Sequence, residues 1–304
     1  MLQYNMSARR LLLAVVLAFA ALPVAAQPTA QPKPRVVATF SILGDLVLQV
    51  AGDRADLAVL VGPDADAHTY QPRPADARTL AAARALVSNG LGFEGWIDRL
   101  AQAAPFRGLA IVATRDVPTL AGTGENQHGP DPHCWQDVTR ARRYVANIAK
   151  GLADGDTANH AYYRERAEAY DRRLAELDRW VRSEIAKVPA DKRKAITSHS
   201  SFRYFAEAYG VQIEAVQGYT TDSEASAHDV AHLVRQVREQ KIKALFIENM
   251  TNPKLIDVIA RESGGVVGPR LYSDALSAPD GPAATYEAMM RHNVAALVAG
   301  MLKN

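Results

Sequence analysis

Three histidines and one aspartate of this chain stand at positions where their side chains could share a metal ion. His68 lies in a polar turn after an apolar run, His133 follows an Asp-Pro pair, and His199 and Asp274 each follow later apolar runs. Neutral imidazoles and carboxylates are common ligands of divalent transition metals. A histidine in a loop is more often simply solvated, so the residues alone leave metal binding and a set of solvated loops as the two interpretations.

The elements that would position these side chains alternate between strand and helix. Short apolar runs predict strands at 35–40, 57–61, 85–88 and 109–113, and again at 195–198, 211–216, 242–247 and 266–271. Helical patterns separate them, which predicts two α/β lobes with parallel-type sheets. Ligands of open α/β sheets bind beyond the carboxyl ends of the strands. The candidates follow strands or enter helices, two in each lobe, so we predict a metal site between the lobes.

A long helix is predicted over residues 156–188, where glycine and proline are absent. Apolar or small residues recur there at steps of three and four and mark one helix face. They are Tyr163, Ala167, Tyr170, Leu174, Leu177, Val181, Ile185 and Val188. At 1.5 Å per residue the helix would span roughly 50 Å. We interpret it as a rigid linker between an N-terminal lobe at 35–155 and a C-terminal lobe at 189–304; a helical-hairpin arm or coiled-coil segment is the alternative.

The N-terminus has the pattern of an export signal. Arg9 and Arg10 precede an apolar run at 11–22, and small residues end at Ala26. This predicts a cleaved signal peptide over 1–26, with an uncleaved membrane anchor as the alternative. Residues 27–34 are rich in proline and glutamine and predict a disordered leader. Since no cysteine lies near Ala26, we expect a periplasmic protein that is not lipid-anchored.

Composition narrows the classes of partner. The chain has 304 residues, of which 48% are hydrophobic, enough for two domains with cores. Without residues 1–26 it carries 33 basic and 33 acidic residues, and this balance gives no indication of nucleic-acid binding. Cys134 is the single cysteine, so no intramolecular disulfide can form. We expect its thiol to be buried by packing, with metal binding beside His133 as the alternative.

Six stretches of the chain resemble the metal-binding solute receptors of ABC importers, the cluster A-I family that carries zinc or manganese. They are Phe40-Ser-Ile-Leu-Gly-Asp45, Pro63-Asp-Ala-Asp-Ala-His-Thr-Tyr70, Asn89-Gly-Leu-Gly-Phe-Glu94, Asp131-Pro-His-Cys-Trp135, Ser198-His-Ser-Ser-Phe-Arg-Tyr-Phe205 and Leu271-Tyr-Ser-Asp274. The resemblance implies two α/β lobes joined by one long helix. It also implies that His68, His133, His199 and Asp274 bind the metal, and that the partner is the membrane permease of an importer.

The choice of metal follows from ligand chemistry. Three imidazoles and one carboxylate suit four-coordinate Zn²⁺, whereas manganese prefers more oxygen ligands. We therefore predict Zn²⁺ as the transported ion, with Mn²⁺ as the alternative if Asp274 binds through both oxygens. The loop before His133 is short, and His128 is its single histidine. We leave open whether His128 acts as an accessory ligand. We expect a monomer, and leave open whether a metallochaperone loads it.

A zinc-dependent hydrolase is the rival from another class. Catalytic zinc keeps one position open for water beside three protein ligands. Here four ligands would close the site, and the chain has no His-Glu-x-x-His motif. We therefore expect a receptor and not an enzyme. A surface adhesin is the second rival, and the missing cysteine near Ala26 argues against it. With a stiff single-helix linker, we expect metal release through local loop movement or a small tilt of the lobes.

Overall fold

A computed structural model describes residues 33–122, 129–221 and 226–304, apart from the side chain of Asp229. The predicted signal peptide, all but the end of the predicted leader, and His128 lie outside the described residues. Within the described ranges, no helix combines the length and apolar character needed to cross a membrane.

The first lobe is a parallel sheet covered by helices. Its elements are β1 (Arg35–Phe40), α1 (Ser41–Ala51), β2 (Asp56–Val61), α2 (Pro74–Ala81), β3 (Ala85–Ser88), α3 (Ile97–Ala103) and β4 (Leu109–Val112). The strand order is β2-β1-β3-β4. Central β1 is buried from Val36 to Phe40, as expected for a parallel strand covered on both faces. The carboxyl ends of these strands therefore face the same edge.

Two helices then carry the chain toward the second lobe. They are α4 (Val138–Gly155) and α5 (His160–Ile185), and α5 packs against α1 and α4 as well as against helices of the second lobe. The predicted apolar face of α5 is buried from Tyr163 to Ile185. The helix is shorter than 156–188 because Asp156 accepts hydrogen bonds from Asn159 and from the Tyr163 hydroxyl, which holds a separate turn before α5.

The second lobe repeats the arrangement of the first. Its elements are β5 (Lys194–His199), α6 (Arg203–Tyr209), β6 (Gln212–Gln217), α7 (Ala227–Glu239), β7 (Ala244–Leu245), α8 (Lys254–Ser263), β8 (Val266–Val267) and α9 (Tyr286–Met301). The parallel order β6-β5-β7-β8 matches that of the first sheet. The two-lobed α/β prediction is confirmed.

The last two strands are shorter than the predicted runs at 242–247 and 266–271. Gly268 and Pro269 interrupt the final strand, because proline has no backbone N–H to donate to the ladder. Pairing resumes as a single parallel bridge between Glu248 and Leu271. This bridge lies close to the predicted metal site.

The main hydrophobic core does not stop at the boundary between the lobes. One continuous cluster runs from Val36 in β1 through Leu174 in α5 to Met301 in α9. A smaller cluster lies only in the second lobe, around Leu245, Leu233 and Ile256. The linker helix is therefore also a packed core helix shared by both lobes.

Candidate metal centre

His68 is positioned by its own loop and by the opposite lobe. The chain leaves β2 at Val61 and turns, and Asp66 Oδ1 accepts the backbone N–H of His68 at 2.8 Å. The indole of Trp96 donates to the carbonyl of Ala67 at 2.8 Å. Asp66 Oδ2 accepts the hydroxyl of Thr221, in the second lobe, at 2.5 Å. One carboxylate thus fixes the loop and links it across the cleft.

His133 is held by the residue two positions before it. Asp131 Oδ1 accepts the His133 backbone N–H at 3.0 Å and lies 2.8 Å from ring atom Nδ1. The amide of Asn89 donates to the carbonyl of Pro132 at 3.0 Å, and buried Glu94 accepts the backbone N–H of Asn89. With Nδ1 engaged by a carboxylate, the ring presents Nε2 to the cleft.

His199 is the last residue of β5, and its carboxylate partner comes from the segment that follows β7. Glu248 Oε1 accepts the His199 backbone N–H at 2.9 Å, and Oε2 lies 2.6 Å from His199 Nδ1. The hydroxyl of Ser201 also donates to Glu248 Oε2, at 3.0 Å. The side chains of His199 and Glu248 are both fully buried.

Asp274 belongs to the second lobe, but the first lobe fixes its segment. The indole of Trp135 and the amide of Gln136 both donate to the carbonyl of Ser273, at 2.9 and 2.8 Å. Asp274 is itself fully buried. Its carboxylate is therefore held between the lobes by contacts with the backbone of its neighbour.

The four predicted residues come together. Ligating atoms of His68, His133, His199 and Asp274 all lie within 4.8 Å of one another. The Nε2 atoms of His68 and His199 lie 3.2 and 2.9 Å from Asp274 Oδ2, and that of His133 lies 3.6 Å from Oδ1. In the described part of the chain, these three Nε2 atoms and both carboxylate oxygens are buried without a hydrogen-bond partner. Buried polar atoms normally have partners, and these four residues are close enough together to hold a metal ion.

Charge in the metal-free cluster favours proton retention. Burial lowers the pKa of His133, but Asp274 and Asp131 outweigh burial and raise that pKa to about 9. Burial likewise lowers the pKa of His199, yet Glu248 and Asp274 raise it well above the ordinary histidine value. Burial raises the pKa of Asp274, while His199 and His133 together hold it well below the usual range. A metal ion must therefore displace protons to bind here.

Cys134 packs away from the cluster. It is fully buried, its Sγ lies 3.9 Å from the carbonyl of Asp131, and burial raises the pKa of its thiol to about 11. The clustered ligand atoms come from other residues. The packing interpretation of Cys134 is therefore supported, while the question about His128 lies outside the described residues.

Sequence reasoning placed the four clustered residues but missed the contacts that hold them. Glu248 directly follows the predicted strand at 242–247, which was the available signal, yet its contact with His199 spans 49 positions. The donation from Trp135 and Gln136 to Ser273 crosses the lobes and left no local pattern.

Comparisons with known proteins identify the family. The model of the family described as zinc-uptake complex component A, periplasmic, matches residues 36–300. The chain is 31% identical to the manganese-binding lipoprotein MntA of Halalkalibacterium halodurans, covering 88% of each chain. It is 30% identical to the iron-binding protein YfeA of Yersinia pestis, covering 88% of this chain and 86% of that one. The solved periplasmic zinc-binding protein TroA of Treponema pallidum superposes with a TM-score of 0.84 at 30% identity, covering 89% of this chain and 99% of TroA.

The expectation of a periplasmic protein that is not lipid-anchored is contradicted by these comparisons. MntA and other similar proteins are named lipoproteins. The expectation depended on the missing cysteine near Ala26. That criterion considers one residue type at one place and says nothing about how related receptors are held at a membrane. We therefore withdraw the expectation that the protein is not lipid-anchored.

The comparisons also decide between the classes of function. The similar proteins are named for metal binding and for substrate binding in ABC transport, and none of the named matches supports the hydrolase alternative. Relatives are named for manganese, iron or zinc, so manganese stands level with zinc. Because the family match extends from residue 36 to residue 300, this chain belongs to the zinc-uptake complex component A family of metal-binding receptors for ABC transporters.

Proposed function

We propose that His68, His133, His199 and Asp274 together capture one divalent first-row transition-metal ion, which the protein presents to the permease of an ABC importer. The observation that supports this most is the set of five buried ligand atoms that have no hydrogen-bond partner and face one another, contributed by these four residues. An unpaired buried polar group costs free energy, and one cation would satisfy all five atoms at once.

We propose zinc as the ion, because three imidazoles and a carboxylate suit it. Manganese is the second candidate, and the orientation of Asp274 favours it. Both oxygens of this carboxylate are without partners and face histidine nitrogens. Binding through both would give five ligand atoms, two of them oxygen, which is closer to the manganese preference.

A competition titration of the metal-stripped protein, followed by elemental analysis, tests both points. We expect one zinc ion per chain that excess manganese does not displace. Manganese retained in the presence of trace zinc would make the protein a manganese receptor. If neither ion binds with a stoichiometry of one, the four-residue assignment is wrong.

We propose the division into lobes at 35–155 and 189–304, joined through 156–188, and a release mechanism that keeps this arrangement. The shared core around Leu174 supports it, because opening the lobes widely would expose apolar surface. Release then needs only local movement near the ligands or a small tilt. Solution scattering of metal-free and metal-bound protein should give nearly equal radii of gyration, and a large closure on binding would contradict this mechanism.

The same geometry guides the proposals on partners. We propose that the protein acts as a monomer, since one chain supplies all four ligands; light scattering that shows a metal-dependent dimer would contradict this. His68 is the most exposed of the four residues, at only 8%, which supports a metallochaperone as a further partner because access is narrow. Loading by free zinc at a rate limited only by mixing would remove the need for one.

A further inference from the structure

Glu248 and Asn249 are consecutive residues just beyond β7, and between them they contact the segments of three of the proposed ligands. The side chain of Glu248 is fully buried; its Oε1 accepts the backbone N–H of His199, and its Oε2 lies 2.6 Å from His199 Nδ1. It is a charged group with no place in the proposed ligand set. Its contacts are all with β5 or the turn that follows β5.

The backbone of the same two residues holds the segment that leads to Asp274. Glu248 forms the parallel bridge with Leu271, and the N–H of Asn249 donates to the carbonyl of Leu271 at 2.8 Å. The side-chain amide of Asn249 donates to the carbonyl of Ala275 at 3.3 Å. Asp274 thus lies in a short segment that is attached to residues 248–249 on both sides.

Asn249 also reaches the other lobe. Its amide donates to Asp64 Oδ1 at 2.9 Å, and Asp64 lies four positions before His68. The N–H of Asp64 donates in turn to the carbonyl of Leu276 at 2.9 Å. The loop that carries His68 is therefore tied to the second lobe by two hydrogen bonds, one to Asn249 and one to the segment that carries Asp274.

We propose that Glu248 is the positioning residue for His199, and that the Glu248–Asn249 pair is the junction that holds the ligands of both lobes at a common spacing. This inference rests on the proposed metal site. A carboxylate suits the role because both oxygens only accept hydrogen bonds, and Glu248 faces the backbone N–H and the ring Nδ1 of one histidine. Partners of this kind orient metal-bound histidines, and their loss typically lowers metal affinity ten- to a hundredfold.

Glu248→Gln tests the first half, since glutamine keeps the shape but turns an NH₂ group toward one of the two donors. We expect the variant to bind one Zn²⁺ per chain with affinity lowered about ten- to a hundredfold. We also expect a changed visible spectrum for bound Co²⁺, which reports ligand geometry. Wild-type affinity together with a wild-type Co²⁺ spectrum would overturn the role of Glu248. A wild-type protein that binds no metal would instead overturn the proposed function.

Asp64 allows a matched test of the junction between the lobes. It has a left-handed backbone with φ 53°, which glycine and asparagine both tolerate. Asp64→Gly removes the acceptor for Asn249, whereas Asp64→Asn keeps a carbonyl oxygen there. We expect Asp64→Gly to release Zn²⁺ to a chelator about two- to tenfold faster, with an unchanged Co²⁺ spectrum and stoichiometry. Asp64→Asn should release Zn²⁺ at nearly the wild-type rate. Equal rates for all three proteins would overturn the junction.

Discussion

Asp131 and Glu248 each hold one histidine of the candidate site, but their contacts with that histidine differ. Each carboxylate bonds to the backbone N–H of one histidine and lies within 2.8 Å of its ring Nδ1. Asp131 is two residues from His133 and uses a single oxygen for both contacts. Glu248 reaches His199 from the segment just beyond β7 and faces it with both oxygens.

This difference shows which half of the candidate site depends on tertiary contacts between distant parts of the chain. The Asp131–His133 pair is closed within one turn, so any folding that forms this turn orients the ring. The Glu248–His199 pair exists only when β5 and β7 are aligned in the sheet. We therefore expect the second lobe's contribution to be the more easily disturbed.

The largest effect on zinc affinity should come from removing the proposed ligand His199, whose orientation depends on the alignment of β5 and β7. We expect His199→Ala to lower zinc affinity by at least about a hundredfold, since a four-ligand zinc site is worth roughly 10–16 kcal/mol in total. A competition titration against a chelator measures this. His228→Ala is the matched control, because His228 is exposed on α7. An equal loss in both variants would show that the ring of His199 has no special role.

The pH dependence tests whether both carboxylate–histidine pairs hold protons. The pKa of His133 is raised to about 9 and the pKa of His199 is raised well above the ordinary histidine value, so both shifts favour protonated rings in the metal-free protein. The groups facing them are Asp131, Glu248 and Asp274. Metal needs neutral rings, so affinity should rise up to about tenfold per pH unit for each proton released, from the ordinary histidine range up to about pH 9. Calorimetry in buffers of different ionisation enthalpy should show that metal binding releases more than one proton per chain at pH 7. A count of zero would contradict the retention of protons by the two carboxylate–histidine pairs.

The same shifts predict the stability of the metal-free protein. A raised histidine pKa contributes stability that is complete below the unfolded-state pKa of 6.5 and is lost as the pH rises through about 9. The lowered pKa of Asp274 acts at the other end, and its contribution is lost as the pH falls below 3.8 toward its folded value. The metal-free protein should therefore melt at lower temperature at pH 9 than at pH 6.5. A flat melting temperature over this interval would argue against protonated rings.

A smaller effect on zinc affinity is expected at the pair formed by Asp131 and His133. Asp131→Asn keeps an oxygen that can accept both contacts of His133, so the geometry survives while the charge is lost. We expect zinc affinity to fall by about tenfold, the low end for such partners, and by less than in Glu248→Gln. Measuring both variants under one set of conditions tests the comparison directly. A larger loss in Asp131→Asn would reverse our ranking of the two sides.

The smallest effect concerns a hydrogen bond between the lobes that none of the proposed ligands makes. The hydroxyl of Tyr286 donates to the carbonyl of Trp135 at 2.6 Å, and Tyr286 is fully buried. Tyr286→Phe should reduce the free energy of unfolding by about 1 kcal/mol, the usual worth of one such bond. Tyr162→Phe, whose hydroxyl meets exposed Asp53, should change it less. Urea unfolding of the metal-free proteins provides both values, and a larger loss in Tyr162→Phe would contradict this.

Several features could be predicted from the sequence because their causes are local. The spacing from Tyr163 to Ile185 predicted the buried face of α5, since a helix brings residues three and four apart together. The largely apolar run from Val36 to Phe40 predicted a buried strand, and the structure buries it. The short distance from Asp131 to His133 predicted a turn entering a helix, and the structure places the carboxylate on that histidine.

The remaining features required the tertiary structure, because they join residues that are far apart in the chain. The shortening of β7 and β8 depends on which backbone groups still pair around Pro269. The contact of Glu248 with His199 depends on strand alignment, and the bonds from Trp135 and Gln136 to Ser273 depend on how the lobes meet. The sequence by itself therefore determined the identities of the candidate ligands and the elements that carry them. Only the tertiary structure decided that their five ligand atoms are buried together without partners, because burial and convergence are properties of the packed lobes.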